Sequence, residues 1–169
     1  NNRFSGYIPP GLSTVTSLLV VAINNNRISG TLPNLVSPIL NTLSIFSNEI
    51  SGTIPNDLLA KRYLERVGAH ANALVGTFPE ILGPRIGVIS LANNSLSGEL
   101  PQSICSACKR LYGMLLENNN VRGNLGGFRN CSQLEFLQVS NNKLTGTIGG
   151  WISQMPKLLK LFVDRNDIA

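Results

Sequence analysis

The stretch Asn94-Ser95-Leu96-Ser97-Gly98-Glu99-Leu100-Pro101 is the clearest copy of a unit that recurs along the whole chain. An Asn four residues ahead of a Gly stands at Asn2, Asn26, Asn48, Asn72, Asn94, Asn119 and Asn142, and Asn166 opens one more copy. Successive intervals are 24, 22, 24, 22, 25, 23 and 24 residues. Every copy but the first carries apolar residues five and three positions before its Asn: Val21 and Ile23, Leu43 and Ile45, Val67 and Ala69, Ile89 and Leu91, Met114 and Leu116, Leu137 and Val139, Leu161 and Val163. A further apolar residue precedes these by three, as at Leu40, Leu64, Ile86, Leu111, Leu134 and Leu158.

Apolar positions two apart mark one face of a short strand. One strand per repeat, with crossovers of roughly 18 residues between them, demands parallel pairing and right-handed connections. A single repeat buries about five aliphatic side chains, worth at most about 8 to 15 kcal/mol. Ordering its backbone costs more, at about 1 to 2 kcal/mol per residue, so no repeat stands alone and neighbours must stack. Strands are expected at 20–24, 42–46, 66–70, 88–92, 113–117, 136–140 and 160–164, with Asn56–Ala60 and Gln102–Cys108 as loops or single helical turns. Gly68 and Ala69 leave the fourth repeat with the smallest side chains, and looser packing is expected there.

The recurrent Asn can satisfy backbone groups left open as each strand bends away, so a ladder of inward amides is predicted. The Gly suits positive φ or close backbone packing. The following Ile-Pro, Leu-Pro or Phe-Pro pair points its apolar member inward, while the proline keeps the backbone extended.

The pattern N-x-[IL]-S-G-x-[IL]-P at a spacing near 24 resembles the plant-type leucine-rich repeat of receptor-like kinases, receptor-like proteins and polygalacturonase-inhibiting proteins, and does so over the whole chain. The resemblance implies an α/β solenoid: a right-handed superhelix with a parallel β-sheet on its concave face and loops or short 3-10 turns on its convex face. Residues 1–169 read as one domain of about seven repeats, an uncapped fragment of a longer ectodomain. Arg122 in place of Ser, and Gly126 and Gly149 in place of Pro, predict less regularity opposite the concave sheet in the sixth and seventh repeats.

The 43% hydrophobic, 6% aromatic composition suits a packed domain. A net charge of +5 raises the question of an acidic partner, but the 14 basic residues are scattered along the sequence. The densest group, Lys61, Arg62 and Arg66, is broken by Tyr63, Leu64 and Glu65, and no aromatic-interleaved basic stripe of the nucleic-acid kind is present. The longest apolar run is the six residues Leu18 to Ile23, against about 20 for a bilayer span. A membrane is therefore expected only through segments outside this fragment, and no leader peptide is legible.

Cys105-x-x-Cys108 looks like a zinc or redox motif, but a zinc site needs four ligands and the chain adds only Cys131 and a distant His70. Spacing alone allows either Cys105 or Cys108 to bridge to Cys131. Related receptor ectodomains carry an I-C and N-C pair in consecutive repeats, which implies Cys105 with Cys131. Asn93-Asn94-Ser95 and Asn130-Cys131-Ser132 fit the glycosylation rule, making Asn93 and Asn130 the candidate acceptors. His70 lies on the outward side of its strand without an assignable nucleophile and acid beside it, so neither catalytic residues nor cofactor or metal sites are expected.

The resemblance implies a recognition module at the extracellular side of the plasma membrane or in the cell wall. Its expected partners are a peptide or protein ligand and a co-receptor ectodomain, with no nucleic acid. The rival is a secreted inhibitor of a cell-wall-degrading enzyme such as polygalacturonase. Outward positions at minus four, minus two and minus one from each Asn should form one surface. There Phe46, His70, Leu115, Glu117, Gln138, Phe162 and Arg165 supply the larger side chains, together with Phe136. Some peptide receptors of the family carry an R-x-R pair for a ligand's terminal carboxylate. Phe136 and Gln138 occupy the matching positions here, so that device is not expected.

Overall fold

The computed structural model describes residues 2–169, the side chains of Ala107 and Gln154 apart. We number the turns by their ladder asparagines, from Asn2 to Asn166. Short alternating strands form at the predicted places: Val20–Ala22, Thr42–Ser44, Arg66–Gly68, Val88–Ser90, Gly113–Leu115, Phe136–Gln138 and Lys160–Phe162. They pair in sequence order into one seven-stranded parallel sheet. Their central residues, Val21 through Leu137, are buried, and one continuous apolar core runs the length of the stack.

The asparagine ladder runs unbroken from Asn48 to Asn166. From Asn26 to Asn166 the Oδ1 accepts an N–H from the preceding turn, as from Ile28 to Asn48 (3.0 Å), Leu74 to Asn94 (2.9 Å) and Leu144 to Asn166 (3.0 Å). From Asn48 onward the Nδ2 donates to the carbonyl three residues back in its own turn and to the equivalent carbonyl one turn earlier, while Asn26 makes only the bonds within its own turn. Asn94, for example, reaches Leu91 and Ala69. The Leu91 carbonyl thus receives both Asn94 and Asn119, which uses both of its lone pairs.

A second sheet lies beyond the ladder. Ser5–Tyr7, Arg27–Thr31, Glu49–Thr53, Ala73–Thr77 and Ser95–Ser97 pair in parallel, and Arg122–Gly123, Lys143–Gly146 and Asp167–Ile168 form a separate three-stranded group. The recurrent Ser stabilises it, since Ser29 donates to the Gly6 carbonyl and Ser51 to the Gly30 carbonyl. The Gly is required twice over. Gly98 has φ +79, and a Cβ there would stand 2.7 Å from the Thr77 Cγ2 that packs over it. The expected loops and 3-10 turns, such as Pro10–Thr14 and Leu125–Phe128, connect this sheet to the next concave strand.

Between the fifth and sixth turns the second sheet is reduced to the bridge Glu99↔Arg122. This is where the sequence departs from its own pattern. Gly127 stands in the short helix that replaces the usual Pro segment, and its missing Cβ lets the backbone approach the Pro101 carbonyl, 2.5 Å from where a Cβ would lie. A disulfide between Cys105 and Cys131, Cα atoms 5.2 Å apart, joins these same two turns. Cys108 is a buried free thiol whose Sγ lies 3.0 Å from the Ile86 carbonyl. In the fourth turn, the space beside Gly68 is taken by the Phe46 ring, 3.4 Å from where a Cβ would stand, and Ala69 is buried. Looser packing is therefore not what Gly68 produces. Among the described residues no helix is long and apolar enough to cross a membrane.

Candidate functional site

The concave sheet places side chains by register. Ala22, Ser44, Gly68, Ser90, Leu115, Gln138 and Phe162 are paired residue to residue across seven strands. Parallel neighbours are about 4.8 Å apart, so these residues form a row across the stack. The next outward row, Asn24, Phe46, His70, Ala92, Glu117, Ser140 and Asp164, is held in step because each of its carbonyls from Phe46 onward accepts an N–H from the turn before. The chain then turns a corner. Asn25, Ser47, Ala71, Asn93, Asn118, Asn141 and Arg165 all have φ between 53 and 58, a region that Asn tolerates and β-branched or bulky residues avoid. The minus-one positions are therefore corners rather than strand residues.

Two patches of larger side chains rise from this surface. In the first, the Phe46 and His70 rings stack with centroids 4.5 Å apart and planes 9° from parallel. His70 Nδ1 and Ser90 Oγ share a 2.9 Å hydrogen bond. Burial lowers the imidazole pKa below its ordinary value, and the Glu117 carboxylate opposes that shift. Ala92 is buried between the two, although it points outward. On its far side Glu117 Oε2 is buried without a hydrogen-bond partner among the described residues. The patch thus offers a flat aromatic shelf, a small step and a carboxylate with one oxygen unpartnered.

The second patch joins Leu115, Gln138 and Phe162 in register, with Phe136 beside them. The Lys160 ammonium sits 5.7 Å over the Phe136 ring, while Phe162 stays 48% exposed. Arg165 stands on the corner, with φ 53. The doubled asparagines build a feature of their own on that rim: Asn118 Nδ2 donates to Asn93 Oδ1 (2.8 Å) and Asn141 Nδ2 to Asn118 Oδ1 (2.7 Å). Asn93 Nδ2, the atom a glycan would take, makes neither of these bonds. Asn93 and Asn130 are both exposed.

A family model of the Leucine Rich Repeat matches residues 86–107 and 133–155. The chain is a leucine-rich repeat protein. Over almost its whole length it resembles ectodomains of plant receptor kinases. One is the Arabidopsis receptor kinase HAESA in complex with the peptide hormone IDA and the co-receptor SERK1, with 29% identity, a TM-score of 0.92, and coverage of 99% of this chain and 29% of that one. A TDR receptor matches at 30% identity and a TM-score of 0.89, covering 99% of this chain and 29% of that one. The plant peptide hormone receptor RGFR1 in complex with RGF2 matches at 28% identity and a TM-score of 0.82, covering 99% and 31%. This leucine-rich repeat chain therefore spans under a third of the length of the structures it matches. No curated protein matches it by sequence.

Proposed function

We propose that the chain is part of the ligand-binding ectodomain of a plant cell-surface receptor, acting outside the cell and holding an extended peptide or protein segment against the concave sheet. The observation that carries this reading is the first patch. Most of the surrounding surface is small or polar, so a stacked aromatic pair next to a desolvated, unpartnered carboxylate is where contact with a ligand gains most. An N–H or ammonium group on the ligand would complete Glu117 once its side chain turns out toward the groove, and an apolar side chain would lie on the Phe46–His70 shelf. The neighbours solved with peptide hormones add weight to the assignment.

A random-sequence peptide library selected on the full chain tests it. Enriched peptides should carry Lys, Arg or a free amino terminus. Replacing Glu117 by Gln or Phe46 by Ala should weaken their binding about tenfold, the equivalent of losing one charge-assisted hydrogen bond or one anchor. Peptides that ignore both substitutions but respond to changes on the second sheet would move the site off the concave face.

A further inference from the structure

Stacking collects on one flank the basic residues that look scattered in sequence. Extending the strand register three residues back from Arg66, Val88, Gly113, Phe136 and Lys160 aligns Tyr63, Arg85, Arg110, Gln133 and Lys157 on the edge where each loop enters the concave sheet. The contacts agree. The Arg85 guanidinium lies 4.8 Å over the Tyr63 ring and that of Arg62 lies 5.7 Å from the same ring. Lys157 Nζ donates to Gln133 Oε1 at 2.6 Å. A cleft of about 210 Å³ opens in the middle of this line, walled by Arg66, Arg85, Arg110, Tyr112, Gly87 and Glu65. Three arginines and one glutamate thus line it, and Tyr112 leans over Gly87, whose Cβ would come within 2.7 Å of the ring.

Such a cleft is built for anions. A guanidinium grips a carboxylate bidentately, and Arg85, already held over Tyr63, loses little freedom in doing so. The line continues beyond the cleft to Lys157, with one turn every 4.8 Å or so. A linear polymer with an anion on every unit can therefore engage several turns at once, whereas a single small anion gains only the cleft. The Tyr63 ring is occupied by arginines and offers no bare platform for stacking bases, which single-stranded nucleic acid requires. The acids on this flank, Glu65 and Glu135, interrupt the line without reversing its sign.

We propose that the flank of the fourth to eighth turns binds an acidic polysaccharide, its uronate carboxylates seated on Arg66, Arg85 and Arg110. The site runs along the entry edge of the concave sheet, ahead of the Phe46–His70 row in each turn, so the two readings are tested on different residues and stand or fall separately.

The test measures binding of the full chain to de-esterified polygalacturonate, by affinity electrophoresis and calorimetry, at ionic strengths from about 0.05 to 0.5 M, where screening lengths shrink severalfold. The de-esterified polymer should bind, more weakly as salt rises, and its fully methyl-esterified form should bind at least about tenfold less, since the ester removes the charge a guanidinium grips. The double variant Arg85→Gln/Arg110→Gln should lose about tenfold or more, while Lys143→Gln, on the second sheet, stays within about twofold. If circular dichroism shows the double variant misfolded, Arg66→Gln alone, at an exposed position, should still lose about threefold. Absence of binding, equal binding of the esterified polymer, or undiminished binding by correctly folded arginine variants would overturn the proposal. So would a single-stranded DNA oligomer of equal charge that binds as tightly through the same arginines.

Discussion

Replacing Asn119 by Ala removes one rung of the ladder at its most buried point, where the side chain is only 8% exposed. Three good hydrogen bonds go with it: from the Leu96 N–H at 2.9 Å, and to the Leu91 and Leu116 carbonyls at 3.1 and 3.0 Å. The losses are unequal. Leu91 keeps Asn94 and Leu116 keeps Asn142, so each carbonyl retains one partner, and each lost bond costs about 0.5 to 1.5 kcal/mol. The Leu96 N–H is left buried with no partner, at about 1 to 3 kcal/mol. The sum is about 2 to 6 kcal/mol. Asn26, in the second turn, is the internal control. Its Oδ1 serves the exposed Phe4 N–H, which water can satisfy, so Asn26→Ala should cost about 1 kcal/mol. Asn119→Asp, which keeps an acceptor but turns an oxygen toward two carbonyls, should destabilise at least as much as Asn119→Ala at neutral pH. Urea unfolding followed by circular dichroism gives the three values. A cost for Asn119→Ala below about 1 kcal/mol, or no larger than that of Asn26→Ala, would refute the buried-donor assignment.

Gly98→Ala adds a left-handed penalty of about 1 to 2 kcal/mol to a clash with Thr77 Cγ2; its midpoint should fall well below that of Gly11→Ala, where an added Cβ meets nothing within 4 Å. Replacing both Cys105 and Cys131 by Ser opens a loop of 26 residues and should lower stability by about 3 to 4 kcal/mol in the same urea assay, an effect that reductant should reproduce in the parent chain. Because burial favours neutral His70, its contribution to stability is fully present above the ordinary histidine pKa near 6.5 and is lost as pH falls through the lower folded value. Melting temperatures between pH 7.5 and 5 should therefore drop less in His70→Gln than in the parent, and more in Glu117→Gln; parallel curves for all three would contradict this.

The repeat, the strand positions and the inward amides are legible in the sequence because each rests on a residue pattern with one physical solution: alternation for a half-buried strand, and a short amide where carbonyls must be met. The second sheet is not legible. Its strands carry Ser-Gly and exposed polar residues, which by composition read as turn, and only the pairing of successive turns makes them extended. The left-handed corners are half legible. Asn25, Asn93, Asn118 and Asn141 signal them, whereas Ser47, Ala71 and Arg165 are placed there by the stack. At the concave face the outward columns follow from register alone. Which members touch does not, because the Phe46–His70 stack depends on side-chain rotations that register leaves free. The basic flank escapes a linear reading for a related reason: Arg66, Arg85 and Arg110 belong to three different turns.

The interruption of the second sheet between the fifth and sixth turns bears on how the solenoid responds to tension. In a stack where each turn grips only its neighbours, a pull along the axis is resisted junction by junction, and one junction has the shortest strand pairing on its outer side. Here that junction is the one crossed by the Cys105–Cys131 bond. That seam is covalently tethered, so the slack released if it parts is limited to the chain outside the 26-residue loop the bond closes. A stretched molecule would therefore pause at a defined extension, and a reducing agent would lengthen that step.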